Sequence, residues 1–111
     1  DHYIDSSFGD IFFAQDKFDK SEFHYKKALD FYTKSGYLTE RIETGIDLAK
    51  LYNKSNQTQK GLTICEETLK IIDTFESASH KKEVLEETSE TLKDLGLVHQ
   101  KFKPENLYHE L

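Results

Sequence analysis

Apolar residues Ile4, Phe8, Ile11 and Phe12 recur at three- and four-residue spacing, the period of one face of an α-helix, and predict a first helix over 3–15. A second stripe, Phe18, Glu22, Tyr25, Leu29 and Tyr32, runs on to "KSGY", where Gly36 offers the left-handed conformation that commonly ends helices. Asp19 stands three residues before Glu22, the spacing of a capping box at the start of this helix. Residues 38–54 repeat the first helix, with Ile42, Gly45, Ala49 and Tyr52 along one face. "KSNQTQ" supplies the next turn, with Asn56 and Gln59 as a second cap pair, and a fourth helix carries Gly61, Leu62, Cys65, Leu69, Ile72 and Phe75 as far as "ESAS". Leu85, Thr88, Leu92, Leu95 and His99 are again helically spaced, and "KFKPENLYHEL" opens a sixth helix with Pro104 in its first turn, where a missing amide costs little.

The first four helices are two copies of one pattern. Phe8 falls on Leu48, Gly9 on Ala49, Phe12 on Tyr52, Ser21 on Gly61, Tyr25 on Cys65, Leu29 on Leu69 and Tyr32 on Ile72, all at an offset of 40. Large residues match large and small match small, as expected of a repeat architecture. The third copy is set most simply at an offset of 44 from the second, which places Pro104 in the first turn of its helix but Lys93 and Gly96 at the positions of Ala49 and Tyr52. An offset of 43 restores the stripe through Leu92, Leu95, Tyr108 and Leu111 and spoils the turn. The repeats then span approximately 1–36, 38–77 and 79–111.

A large residue followed by a small one ("FG", "LA"), an aromatic three residues on (Phe12, Tyr52), a small residue after the turn (Ser21, Gly61), then "Y..AL" or "C..TL", resembles the tetratricopeptide repeat. The resemblance implies an all-α fold: a right-handed superhelical stack of antiparallel helix hairpins, about three repeats and six helices in a single domain. The usual repeat has about 34 residues. The longer spacing here is similar to variants in bacterial peptide-sensing regulators and in helical sensor regions of signalling proteins. In such a stack the small residues let paired helices approach, and the phenylalanines and tyrosines are expected to fill the spaces between hairpins.

Composition narrows the chemistry. A chain of 111 residues is one domain's worth. Its net charge of −6 argues against a nucleic-acid partner within this segment. The missing initiator methionine and the stop inside a helical pattern lead to the expectation that these residues come from a longer protein. No apolar run approaches the roughly 18 residues of a membrane span, and no leader pattern opens the chain. Cys65 is the only cysteine, so an internal disulfide and a paired-thiolate metal site are excluded, and its place on the apolar stripe marks it as a small hydrophobe. The compartment is left open, with the cytoplasm favoured. Fourteen lysines to one arginine are compatible with an AT-rich bacterial genome.

Reactive constellations are not found. The five histidines have no metal-ligand spacing, the five glycines are isolated and form no phosphate loop, and the pairs Glu66–Glu67 and Glu86–Glu87 are read as solvated helix residues. "NKS" and "NQT" match the glycosylation pattern, which matters only in a secreted eukaryotic chain. No enzyme activity, metal or cofactor is expected. The family resemblance instead implies a partner on the concave face lined by the first helix of each unit. The inward positions are Tyr3, Ser6, Asp10 and Phe13, then Glu43, Ile46, Lys50 and Asn53, then Glu87, Glu90, Asp94 and Leu97. Of these, Tyr3, Asp10, Phe13, Lys50, Asn53, Glu90, Asp94 and Leu97 are the expected partner-binding residues. Asn53 suits a peptide amide, Lys50 a carboxylate, and Phe13 and Leu97 apolar side chains, while Asp10, Glu87, Glu90 and Asp94 favour a segment of basic or amino-terminal character. The function expected is that of a protein- or peptide-binding module. The alternatives are the signal-sensing region of a bacterial regulator, either a peptide-pheromone-responsive transcription regulator or a sensor histidine kinase, and a helical accessory region of an enzyme whose catalytic domain lies elsewhere.

Overall fold

Every described element is the helix that the spacing predicts, and the first three end where the backbone turns left-handed. The computed structural model describes residues 2–72 and the separate helical positions 83, 86 and 90. Four helices follow one another: α1 (His2–Ala14), α2 (Phe18–Ser35), α3 (Leu38–Lys54) and α4 (Thr58–Ile72). No strand occurs among the described residues, and the chain is all-α there. The third predicted unit lies outside them, apart from those three positions.

One turn geometry is used three times. Asp16, Gly36 and Asn56 adopt positive φ of 58°, 75° and 61°. In each case the amide of the next residue closes back on the carbonyl five positions earlier: Lys17 on Phe12 at 2.9 Å, Tyr37 on Tyr32 at 3.0 Å, Gln57 on Tyr52 at 2.7 Å. This is the bond that satisfies the last carbonyls of a helix when its exit residue is left-handed. The three exits are therefore 20 residues apart, and each follows an aromatic residue by four positions.

The expected capping boxes are corrected by this geometry. Helix α2 starts at Phe18 with Lys17 as its N-cap and no side-chain cap, so Asp19 lies inside the first turn. Asn56 provides the left-handed exit from α3 and stands two residues before α4 begins at Thr58. A left-handed residue followed by one extended residue already delivers the chain into the next helix. The free carboxylate of Glu22 goes to a long-range partner instead.

Short connections fold α1 against α2 and α3 against α4 as hairpins, and α2 packs on α3 between them. The small residues do lie at the crossing: Ser21 Oγ donates to the Gly9 carbonyl at 2.7 Å, and a Cβ added to Gly9 would stand 2.5 Å from the Tyr25 ring. Gly45 is as tightly held, with Thr68 Oγ1 2.7 Å from where its Cβ would be. The core centres on Tyr25, Leu48, Leu51 and Tyr52, with Phe13, Phe18, Leu29 and Ile64 packed around them. Tyrosines thus fill the space between hairpins as expected.

The phenylalanines of α1 do so only in part. Ile4, Phe8 and Ile11, three of the four residues in the stripe that defined the first helix, are exposed, and Phe12 is half-buried. Among the residues of α1 whose burial is described, Asp5 and Gly9 are buried, on the side that meets α2. The periodicity located a helical face correctly, but no described helix covers it.

Candidate functional site

The first helices of the two hairpins approach at their C-terminal ends. Lys54, the last residue of α3, lies 3.0 Å from Asp16 at the exit of α1, and its ammonium sits 4.8 Å from the centroid of the Phe13 ring. Phe13 also packs on the core cluster that contains Leu48, Leu51 and Tyr52. These contacts bring Phe13 and Lys54 together where α1 and α3 meet.

The predicted inward residues occupy different environments along that seam. Lys50 is exposed, Asn53 half-buried and Asp10 exposed, with Asp10 accepting the hydroxyl of Tyr25. Burial pushes the Tyr25 hydroxyl far above the ordinary tyrosine range, and the Asp10 acceptor and the charges of Asp47 and Asp10 push the same way. Tyr25 is accordingly a neutral donor that holds Asp10 toward α2. Phe13 is half-buried and spends its inner surface on the core. Ile46 is buried and belongs to the core, a correction to its place among the inward positions beyond the stripe; its neighbours on the helix, Thr44 and Leu48, are buried as well. Glu43 and Ser6 are exposed and half-buried respectively, and Glu90 is an exposed helical residue. The side chain of Tyr3 and residues Glu87, Asp94 and Leu97 lie outside the described residues.

Three polar links were not anticipated. Tyr52 donates to Glu22 Oε2 at 2.6 Å, joining the two hairpins. Burial raises the Glu22 carboxyl, but hydrogen bonds from Tyr52 and Lys26 and the charges of Lys26 and Lys60 together outweigh it and hold its pKa below the usual value. His24 Nδ1 stands 3.0 Å from Asp5 Oδ1, with Lys27 at 4.0 Å from the other oxygen. His24 also lies within an aromatic group, 5.3 Å from Phe8, 5.4 Å from Phe12 and 5.2 Å from Phe23 between ring centres. Partners 19 to 30 residues apart leave no local signal. Only the alignment at an offset of 40, which sets Lys20 on Lys60 and Phe12 on Tyr52, would have paired the lysines with their rings.

Burial pushes the Cys65 thiol up to about 12, so almost no thiolate is present near neutral pH. No cluster of three His, Cys, Asp or Glu residues that could hold a metal occurs among the described residues. A cleft of about 210 Å³ between α2, α3 and α4 is lined by Leu29, Thr33, Arg41 and Glu67 among others, and a more open one of about 380 Å³ lies over Asp16, Lys17, Phe18, Asp19 and Lys20. No described helix is long and apolar enough to cross a membrane. No protein-family model matches the chain, and neither a curated protein nor a solved structure is significantly similar to it.

Proposed function

We propose that the chain is a tetratricopeptide-like interaction module that holds a protein or extended peptide along the side formed by α1 and α3. The observation that carries this reading is the repetition of whole hairpins, turn bonds included, at an offset of 40, with the first helices drawn together by Lys54. Repeated hairpins whose first helices adjoin produce a continuous strip with a polar surface, suited to an extended ligand. On this reading Asp10, Lys50 and Asn53 supply the polar contacts, and Phe13 supplies the exposed part of its ring. A third hairpin over 79–111 would complete six helices in a right-handed superhelix and add Glu90, Asp94 and Leu97. The module is non-catalytic and needs no cofactor. The 40-residue spacing favours, as a second reading, a peptide-sensing role within a bacterial regulator.

The test is capture of partners on the immobilised chain beside a Lys50→Glu/Asn53→Ala variant whose circular dichroism matches the parent. Phe13 is left intact because its ring supports the core. Loss of a captured protein or peptide in the variant is the expected result. Equal capture by both proteins would move the site away from this seam.

A further inference from the structure

The uncovered face of α1 has a covered counterpart in the same chain. Ile4, Phe8 and Ile11 are 52%, 42% and 48% exposed, whereas Thr44, Leu48 and Leu51, their equivalents at an offset of 40, are 4%, 0% and 1% exposed. Leu48 and Leu51 are buried in a cluster with Tyr25 and Tyr52, against which Phe18 and Leu29 of α2, Phe13 of α1 and Ile64 of α4 pack. The polar contact at that junction is specific too. Glu22 accepts the Tyr52 hydroxyl, and Lys60, whose ammonium lies 5.7 Å from the Tyr52 ring, acts on the Glu22 carboxylate. On α1 and α2 the same receptor elements recur: Lys20 lies 5.6 Å from the Phe12 ring, at the register of Lys60 and Tyr52, and Lys17 adds a second ammonium at 6.0 Å. Where the second hairpin offers a hydroxyl and one lysine to an acid, the first offers two lysines.

We propose that this end face, Ile4, Phe8, Ile11 and Phe12 with Lys17 and Lys20, docks an amphipathic helix of a protein partner bearing apolar anchors at i, i+7 and i+11 and a carboxylate at i+4. That is the spacing of Phe18, Tyr25, Leu29 and Glu22 in α2. Apolar burial supplies the attraction and the acid sets the register against the two lysines. A second copy of this chain is a poor occupant. Among the described helices its equivalent of α2 is α4, which carries Thr58 at the Phe18 register and Leu62 at the Glu22 register, so it would bring a leucine to Lys20. This inference concerns a different surface from the α1–α3 seam and does not depend on it.

The probe is a synthetic helix-stapled peptide with the α2 sequence Phe18–Ser35, labelled with a fluorophore and titrated against the full chain by anisotropy. Saturable binding is expected, weakened about tenfold or more by Ile11→Asp in the chain and about fivefold by Lys20→Glu. A peptide carrying Glu22→Lys should bind the parent weakly and the Lys20→Glu chain better than the parent. Lys50→Glu should leave all of these affinities unchanged, which separates this face from the seam. Ile11 is exposed, so matching thermal melts will show that Ile11→Asp remains folded. Absence of saturable binding, or affinity indifferent to Ile11→Asp, overturns the proposal. So does a dimer in sedimentation equilibrium that Ile11→Asp dissolves, because the occupant would then be a second copy.

Discussion

Helices α1 and α3 carry one pattern forty residues apart and end in the same turn, yet α3 is embedded and α1 is half bare. Along α3 eight residues are buried, from Ile42 to Tyr52, because α2 lies on one side and α4 on the other. Among the described residues, helix α1 has α2 along one side and meets α3 only near its C-terminal end, and its buried residues are small or polar. The difference teaches that a stripe of large apolar residues specifies a face able to be buried, while the number of neighbours decides whether it is. Stability in such a stack is therefore concentrated away from its ends.

The largest expected effect comes from removing the same interaction at the two equivalent positions. Leu48→Ala should cost about 2–5 kcal/mol through lost burial and the cavity left behind, whereas Phe8→Ala should stay near about 0.5 kcal/mol. Urea unfolding of both variants measures the contrast, and equal losses would mean that α1 is as enclosed as α3. Next comes the crossing of paired helices. Gly9→Ala should cost about 1–3 kcal/mol, since its Cβ must displace the Tyr25 ring. The second hairpin has Ala49 at that register and Cys65 in place of Tyr25, a larger residue set against a smaller one. Gly9→Ala in a Tyr25→Cys background should consequently be close to neutral, and a double-mutant cycle reads the coupling directly.

A smaller effect concerns the bond between hairpins. Glu22→Gln should lose about 1–2 kcal/mol at neutral pH, because a charged acceptor for Tyr52 becomes a neutral one. The folded-state pKa of Glu22 is lowered from 4.5, so its contribution is fully present above that value and is lost as pH falls through the lowered one. Thermal melts of parent and variant should converge over that acidic range, and a constant gap would remove the carboxylate from the explanation. The smallest effect is at the turns. Asn56→Gly should stabilise by up to about 0.5 kcal/mol, since glycine adopts positive φ without strain. Asp16→Gly should gain less, because it gives up the ion pair with Lys54.

Helix identity and order were legible because their signals are local. The stripe Ile42, Gly45, Ala49 and Tyr52 lies within seventeen residues of α3 and needs only the helical period to be read. Gly36 declared its turn because left-handed backbone favours glycine, while Asn56 hid the same turn behind a side chain that suggests a cap, and Asp16 gave no glycine to mark it. The site was less legible. Asp10, Lys50 and Asn53 could be assigned to inward registers, but the engagement of Asp10 by Tyr25 and the place of Ile46 in the core depend on how closely α2 and α4 approach.

From the chain alone came the helices, the offset of 40 and the small residues at the crossings, since spacing along a helix and side-chain size are properties of neighbours in sequence. Packing alone decided which aromatic residues are core and which are surface, and which acid meets which hydroxyl. Tyr52 and Glu22 are thirty residues apart, and Phe8 and Leu48 share one pattern but have different neighbours. Burial depends on what a second element brings to a face, and no local pattern contains that information.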